Sequence, residues 1–151
     1  MTELSSRKRQ RGVTLMELLT VVTIVAIIAS VSYPSYTQFI VRAKRSAGAS
    51  MLLQMADRQQ QFFMDNKQYA ANMTNLGYAS ASISINDEGK VISASDTESI
   101  YTIGLTNTSA TAYTLTATAL HRQAAKDTKC GNLTLTNTGE RGQSGSGENC
   151  W

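Results

Sequence analysis

The chain has 151 residues, room for one domain with a modest core and not for two. Its formal charge of +3 is local: Arg7, Lys8, Arg9 and Arg11, opposed only by Glu3, hold all of it, while residues 13–151 carry ten basic and ten acidic side chains. That balance excludes a broadly cationic fold. Two cysteines and a single histidine leave too little material for a zinc site.

From Gly12 to Val41 the only charged side chain is Glu17. Val13–Tyr33 is an almost unbroken apolar run of 21 residues. As a helix it spans roughly 30 Å at about 1.5 Å per residue, which matches a bilayer core. The four preceding bases predict that residues 1–12 stay in the cytoplasm and that the rest of the chain lies outside. Three readings compete for this segment. A secretory signal peptide fits poorly, because the run is long and no clear A-x-A site follows; Ser30-Val31-Ser32 is a weak imitation. A plain anchor leaves Glu17 unexplained, since a lone carboxylate in lipid is costly and implies a partner. The third reading is a prepilin signal.

Arg11-Gly12-Val13-Thr14-Leu15-Met16-Glu17-Leu18-Leu19 resembles the class III signal of type IV pilins and pseudopilins. In that family a prepilin peptidase cuts after the Gly on the cytoplasmic side and N-methylates the new terminus. The resemblance implies cleavage between Gly12 and Val13, a methylated Val13, and Glu17 at the family's acidic position. Two departures leave the subclass open: Val13 stands where Phe is commonest, and a twelve-residue leader is long for the commoner subclass. The chemistry suits the motif. Gly12 lets backbone enter a protease site closely, and cleavage creates a cationic amine. In an apolar filament core Glu17 needs a cation, and a neighbouring subunit's amine supplies one, which makes the pair a registry device. The alternative is that Glu17 pairs with its own helix start.

Beyond Pro34 the pattern stays helical. Phe39, Ile40, Ala43, Ala47, Met51, Met55 and Phe62 recur at intervals of three, four or seven, with Leu52, Leu53, Ala56 and Phe63 widening the face. One helix from about Thr14 to Lys67, on the order of 80 Å long, is predicted, apolar all round in its first half and amphipathic in its second. Pro34 kinks it. Pilins commonly carry a Pro here, and many carry a Gly where this chain has Ala26. Arg42, Lys44 and Arg45 are either a membrane-surface anchor or a solvated stripe.

Residues 70–100 are loop-like, with short apolar pieces at Ile83/Ile85 and Val91/Ile92 that read as small strands. Tyr101–Leu105, Tyr113–Ala119 and Leu133–Leu135 alternate as strands, and Asn107–Ala110 reads as a turn between the first two. Three such strands predict an antiparallel meander with one face buried under the helix. The expected fold class is therefore α+β, a long helix packed on a small antiparallel sheet. That is the pilin architecture. Cys130 and Cys150, an even pair behind an export signal, favour a disulfide. Cys130-Gly-Asn-Leu-Thr-Leu through Cys150-Trp151 resembles the C-terminal region of PilE-like minor pilins, in which such a bridge closes the D-region.

The expected organisation is a leader at residues 1–12, an apolar assembly helix at 13–35 and a head at 36–151. No catalytic constellation is present. His121, among Arg122, Gln123, Lys126 and Lys129, reads as part of an exposed loop. There is no Gly-Lys-Ser/Thr phosphate loop, and Asp87/Glu88 and Asp96/Glu98 lack calcium-loop spacing. No cofactor or metal is expected. The resemblance implies a structural subunit, a minor pilin, held in the inner membrane and then assembled into an extracellular pilus for motility and adhesion. Its partners would be other pilin subunits and a prepilin peptidase. Two rivals stand: a competence pilin touching DNA phosphates through Arg122, Lys126 and Lys129, and a type II secretion pseudopilin, a group that often lacks the disulfide loop.

Overall fold

One helix, α1 (Leu15–Asn66), takes up 52 residues of the chain. The protein is described from a computed structural model covering Gly12–Trp151. The leader bases Arg7, Lys8, Arg9 and Arg11 lie outside the described residues. The chain divides into two units at Gln38/Phe39, and α1 contributes to both.

In residues 12–38, Thr14 starts the helix. Its hydroxyl oxygen accepts the Glu17 N–H at 3.2 Å, half of the Thr-x-x-Glu capping box. Val13, Leu15, Leu18, Val22, Val25, Ile28 and Val31 are all more than half exposed. The hydroxyls within this apolar surface turn inward. Thr20 donates to Glu17 O at 2.9 Å, Thr23 to Leu19 O at 2.8 Å, Ser30 to Ile27 O at 2.7 Å and Ser35 to Val31 O at 3.3 Å. Such back-bonding removes free donors from a surface that meets no water in lipid. Pro34 lies within α1, where it cannot donate to the Ser30 carbonyl.

In residues 39–151, α1 buries Gly48, Met51, Leu52, Met55 and Gln59. This stripe is narrower than the apolar periodicity predicts: Phe39, Ala43 and Leu53 are exposed, and two residues without apolar side chains replace them. A Cβ on Gly48 would stand 2.9 Å from the Tyr101 ring, so the glycine is what lets the ring fit. Gln59 is fully buried because both ends of its amide are satisfied by the Ala70 backbone, at 3.0 and 2.9 Å.

The sheet has six antiparallel strands in the order β2-β1-β3-β4-β5-β6. They are β1 (Ile83–Ile85), β2 (Val91–Ile92), β3 (Tyr101–Thr106), β4 (Thr114–Ala119), β5 (Leu133–Thr136) and β6 (Arg141–Gln143). The predicted meander is its centre, with Ile103 opposite Ala117, and Ala117 opposite Leu133. Alternation divides the faces. Ile83, Ile85, Tyr101, Ile103, Leu115, Ala117, Leu133 and Leu135 join Met51, Leu52 and Met55 in one core. Thr102, Thr116, Thr118, Thr134 and Thr136 face away from it. The loop-like stretch after residue 70 also gives a 3₁₀ turn at Met73–Leu76, capped by the Asn72 side chain.

Candidate nucleic-acid interface and its support

A short helix, α2 (His121–Lys126), follows β4. This corrects the reading of His121 and its neighbours as a loop, although His121 itself is exposed. Within and just after α2 the side chains separate cleanly. Arg122, Lys126 and Lys129 are exposed, and Gln123 and Asp127 are buried. The i, i+4 spacing of 123 and 127 puts the buried pair on one side.

Asp127 meets Arg45 of α1. Arg45 donates from Nε to Oδ2 at 2.7 Å and from Nη2 to Oδ1 at 2.6 Å, a two-pronged ion pair with side-chain exposures of 12% and 1%. This corrects the sequence reading of Arg45 as an anchor or solvated base. Of its two companions, Lys44 lies 3.9 Å from Asp87 and Arg42 is exposed. Gln123 Nε2 donates to Asp127 Oδ2 at 3.0 Å, to the Tyr101 hydroxyl at 3.2 Å and to Val41 O at 3.3 Å. The hydrogen bond from Arg45 to Asp127 raises the Arg45 pKa above its ordinary value despite desolvation.

Burial pushes the Tyr101 phenol up to about 12, and the Asp127 charge adds to this, while the Gln123 hydrogen bond pulls the other way. Burial also raises Tyr113. A raised phenol favours the folded state only while it stays protonated. The contribution is therefore whole below pH 10 and is lost as pH rises from about 10 to about 12. Thermal melts of the head across that window should show stability falling by up to about 3 kcal/mol. Tyr101→Phe should remove most of the fall.

Lys129 is held differently. The next residue, Cys130, is bonded to Cys150, with Cα atoms 5.5 Å apart. The returning tail lies against it: Gly147 N–H donates to Lys129 O at 2.7 Å, and Gly145 N–H to Cys130 O at 3.0 Å. A Cβ on Gly147 would come within 2.8 Å of the Lys129 carbonyl oxygen, so this approach needs glycine. The tail closes on Trp151, whose Nε1 donates to Gly142 O at 2.9 Å beneath the Arg141 guanidinium. The glycine-rich stretch thus holds a strand, β6, and a buried cysteine, more structure than its composition implies.

Of the three sequence-predicted bases, Lys126 and Lys129 are exposed and flank the buried Asp127 along the chain. Arg122 instead lines an open depression of about 440 Å³ with Asp87, Glu88 and Glu98. Gly12, Val13, Glu17 and Pro34 all belong to the other unit. Among the described residues the Glu17 carboxylate has no hydrogen-bond partner. Sequence reasoning missed Gln123 and Asp127. The signal available was their four-residue spacing against the outward Arg122 and Lys126.

Residues 34–134 match the family described as "Type IV minor pilin ComP, DNA uptake sequence receptor". Residues 7–33 match the prokaryotic N-terminal methylation motif. The solved structure titled "High-Resolution Structure of a Type IV Pilin from Shewanella oneidensis" is 20% identical, covering 74% of this chain and 97% of that one with a TM-score of 0.49. No curated protein matches the chain.

Proposed function

This chain belongs to the type IV minor pilin ComP family, and from that premise we propose that it captures extracellular duplex DNA through Lys126 and Lys129. It is a structural subunit that assembles with other pilins, and its methylation motif and apolar helix mark a membrane-anchored precursor. The capture reading rests on the family's description as a DNA uptake receptor, and the exposed pair of lysines is the observation in the head that carries it. Both side chains project from backbone that is fixed by other contacts, so their charges are presented and not wasted on internal pairs. Arg122 contributes less, because Asp87, Glu88 and Glu98 share its depression.

Phosphate contacts release counterions, and each one steepens the fall of log affinity with log salt by about 0.9. Lys126→Ala/Lys129→Ala should make the slope shallower by about 1.8 and weaken binding alike for all sequences. Fluorescence anisotropy of the full chain in non-ionic detergent, titrated with a labelled duplex at several salt concentrations, reads both. An unchanged slope would remove these lysines from the interface.

The N-terminal half of the reading is processing. Val13 becomes the first residue when a prepilin peptidase cuts after Gly12, and it is then N-methylated. The leader at residues 1–12, assembly helix at 13–35 and head at 36–151 follow from that cut. Glu17 guides assembly by pairing with the amine of a neighbouring subunit. The methylation motif and the exposed apolar surface of α1 support this. Intact mass of the protein from cells with and without their prepilin peptidase tests it. A methylated chain starting at Val13 is expected only with the peptidase, and a full-length chain in both would end the reading.

A further inference from the structure

We propose that the buried Arg45–Asp127 ion pair is a positioning device for the nucleic-acid face, holding α2 in the rotation that turns Lys126 outward. The inference rests on the DNA-capture reading above and goes beyond it by naming what orients the contact.

The first observation is what α2 lacks. Six residues are too few for a helix to stand alone. Its only buried residue is Gln123, so no apolar side chain of α2 seats it in the core. Hydrophobic burial is non-directional, and here it is not the force that sets the helix rotation. Polar ties are. Gln123 reaches Val41 O and the Tyr101 hydroxyl, and Asp127 takes both prongs of Arg45. A two-pronged guanidinium–carboxylate pair fixes angle as well as distance. Asp127 N–H also closes the end of α2 on Gln123 O at 2.8 Å, and Asp127 O accepts Gly131 N–H at 2.7 Å. The ion pair therefore fixes the residue that ends α2, one position after Lys126. Lys129 is tied separately, through the disulfide and Gly147. Lys129 has this second anchor and Lys126 does not, and that difference makes the idea testable.

The test uses the full chain in non-ionic detergent and a labelled duplex. Asp127→Asn removes a negative charge, which by itself strengthens DNA binding, so a loss cannot come from bulk electrostatics. The expected result is a salt slope shallower by about 0.9, equal to that of Lys126→Ala, with no further loss when the two are combined. Combined with Lys129→Ala, the effects should add. Arg45→Met/Asp127→Leu keeps the net charge and replaces the pair by apolar groups that fold well in such sites. It should show the same slope loss, and it serves if Asp127→Asn does not fold. Slopes unchanged in both variants, or losses that add to Lys126→Ala, would overturn the positioning role. If the wild-type chain binds no duplex, the DNA reading itself fails and takes this inference with it. Hydrogen exchange at the Ala124–Asp127 amides in the free protein then still reports whether the pair holds α2.

Discussion

Reducing the Cys130–Cys150 bond lowers the unfolding free energy of the head by about 3 kcal/mol, the chain-entropy value for closing a loop of this size. The closed segment needs this constraint more than most. It supplies Leu133 and Leu135 to the core through β5, but beyond Thr136 only Cys150 is buried. β6 has three residues, two of them exposed. Without the bond, the tail against the Lys129 backbone is held by hydrogen bonds and the Arg141–Trp151 contact. Urea unfolding with and without reductant, and of Cys130→Ala/Cys150→Ala, measures the difference. A change under about 0.5 kcal/mol would mean that the unfolded chain gains almost no freedom on reduction.

The second large effect belongs to the other unit. Glu17→Ala should leave the melting of the head unchanged and abolish recovery of the chain in sheared pili. The head is indifferent because Glu17 is separate from its core. In the membrane the substitution removes a costly charge, so the precursor stays in the bilayer at least as well. On the proposed assembly role it loses the incentive to dock: an unpaired acid in apolar surroundings would be relieved by a neighbour's amine, and Ala has nothing to relieve. Immunoblots of sheared and membrane fractions separate the outcomes. Should Glu17 act only at its own helix start, beside Thr14, the loss would be at most about 1 kcal/mol of local helix stability. Incorporation would then persist, and the assembly role would be wrong.

Much of this protein is legible along the chain because the signals are local. The apolar run after Gly12, the single acid in it, the four bases before it and the alternation of Tyr113–Ala119 are each read within a few residues. They predict the anchor, the long helix and the central strands. The two cysteines predict a closed tail. The short apolar pieces also mark β1 and β2. Less legible was β6, whose three residues are too few for alternation to show, and which is a strand only because β5 offers hydrogen bonds.

Side-chain period and composition, read along the chain, set where it is greasy and which face of the central strands turns inward. Which polar residues are buried is set instead by contacts far apart along the chain. Arg45 and Asp127 lie 82 positions apart, and Gln59 is interior because Ala70 returns to meet it. Taken alone, each of these side chains belongs at a solvated surface. Burying one is tolerable only when a partner replaces the water it loses, and the path of the fold, not the local pattern, delivers that partner.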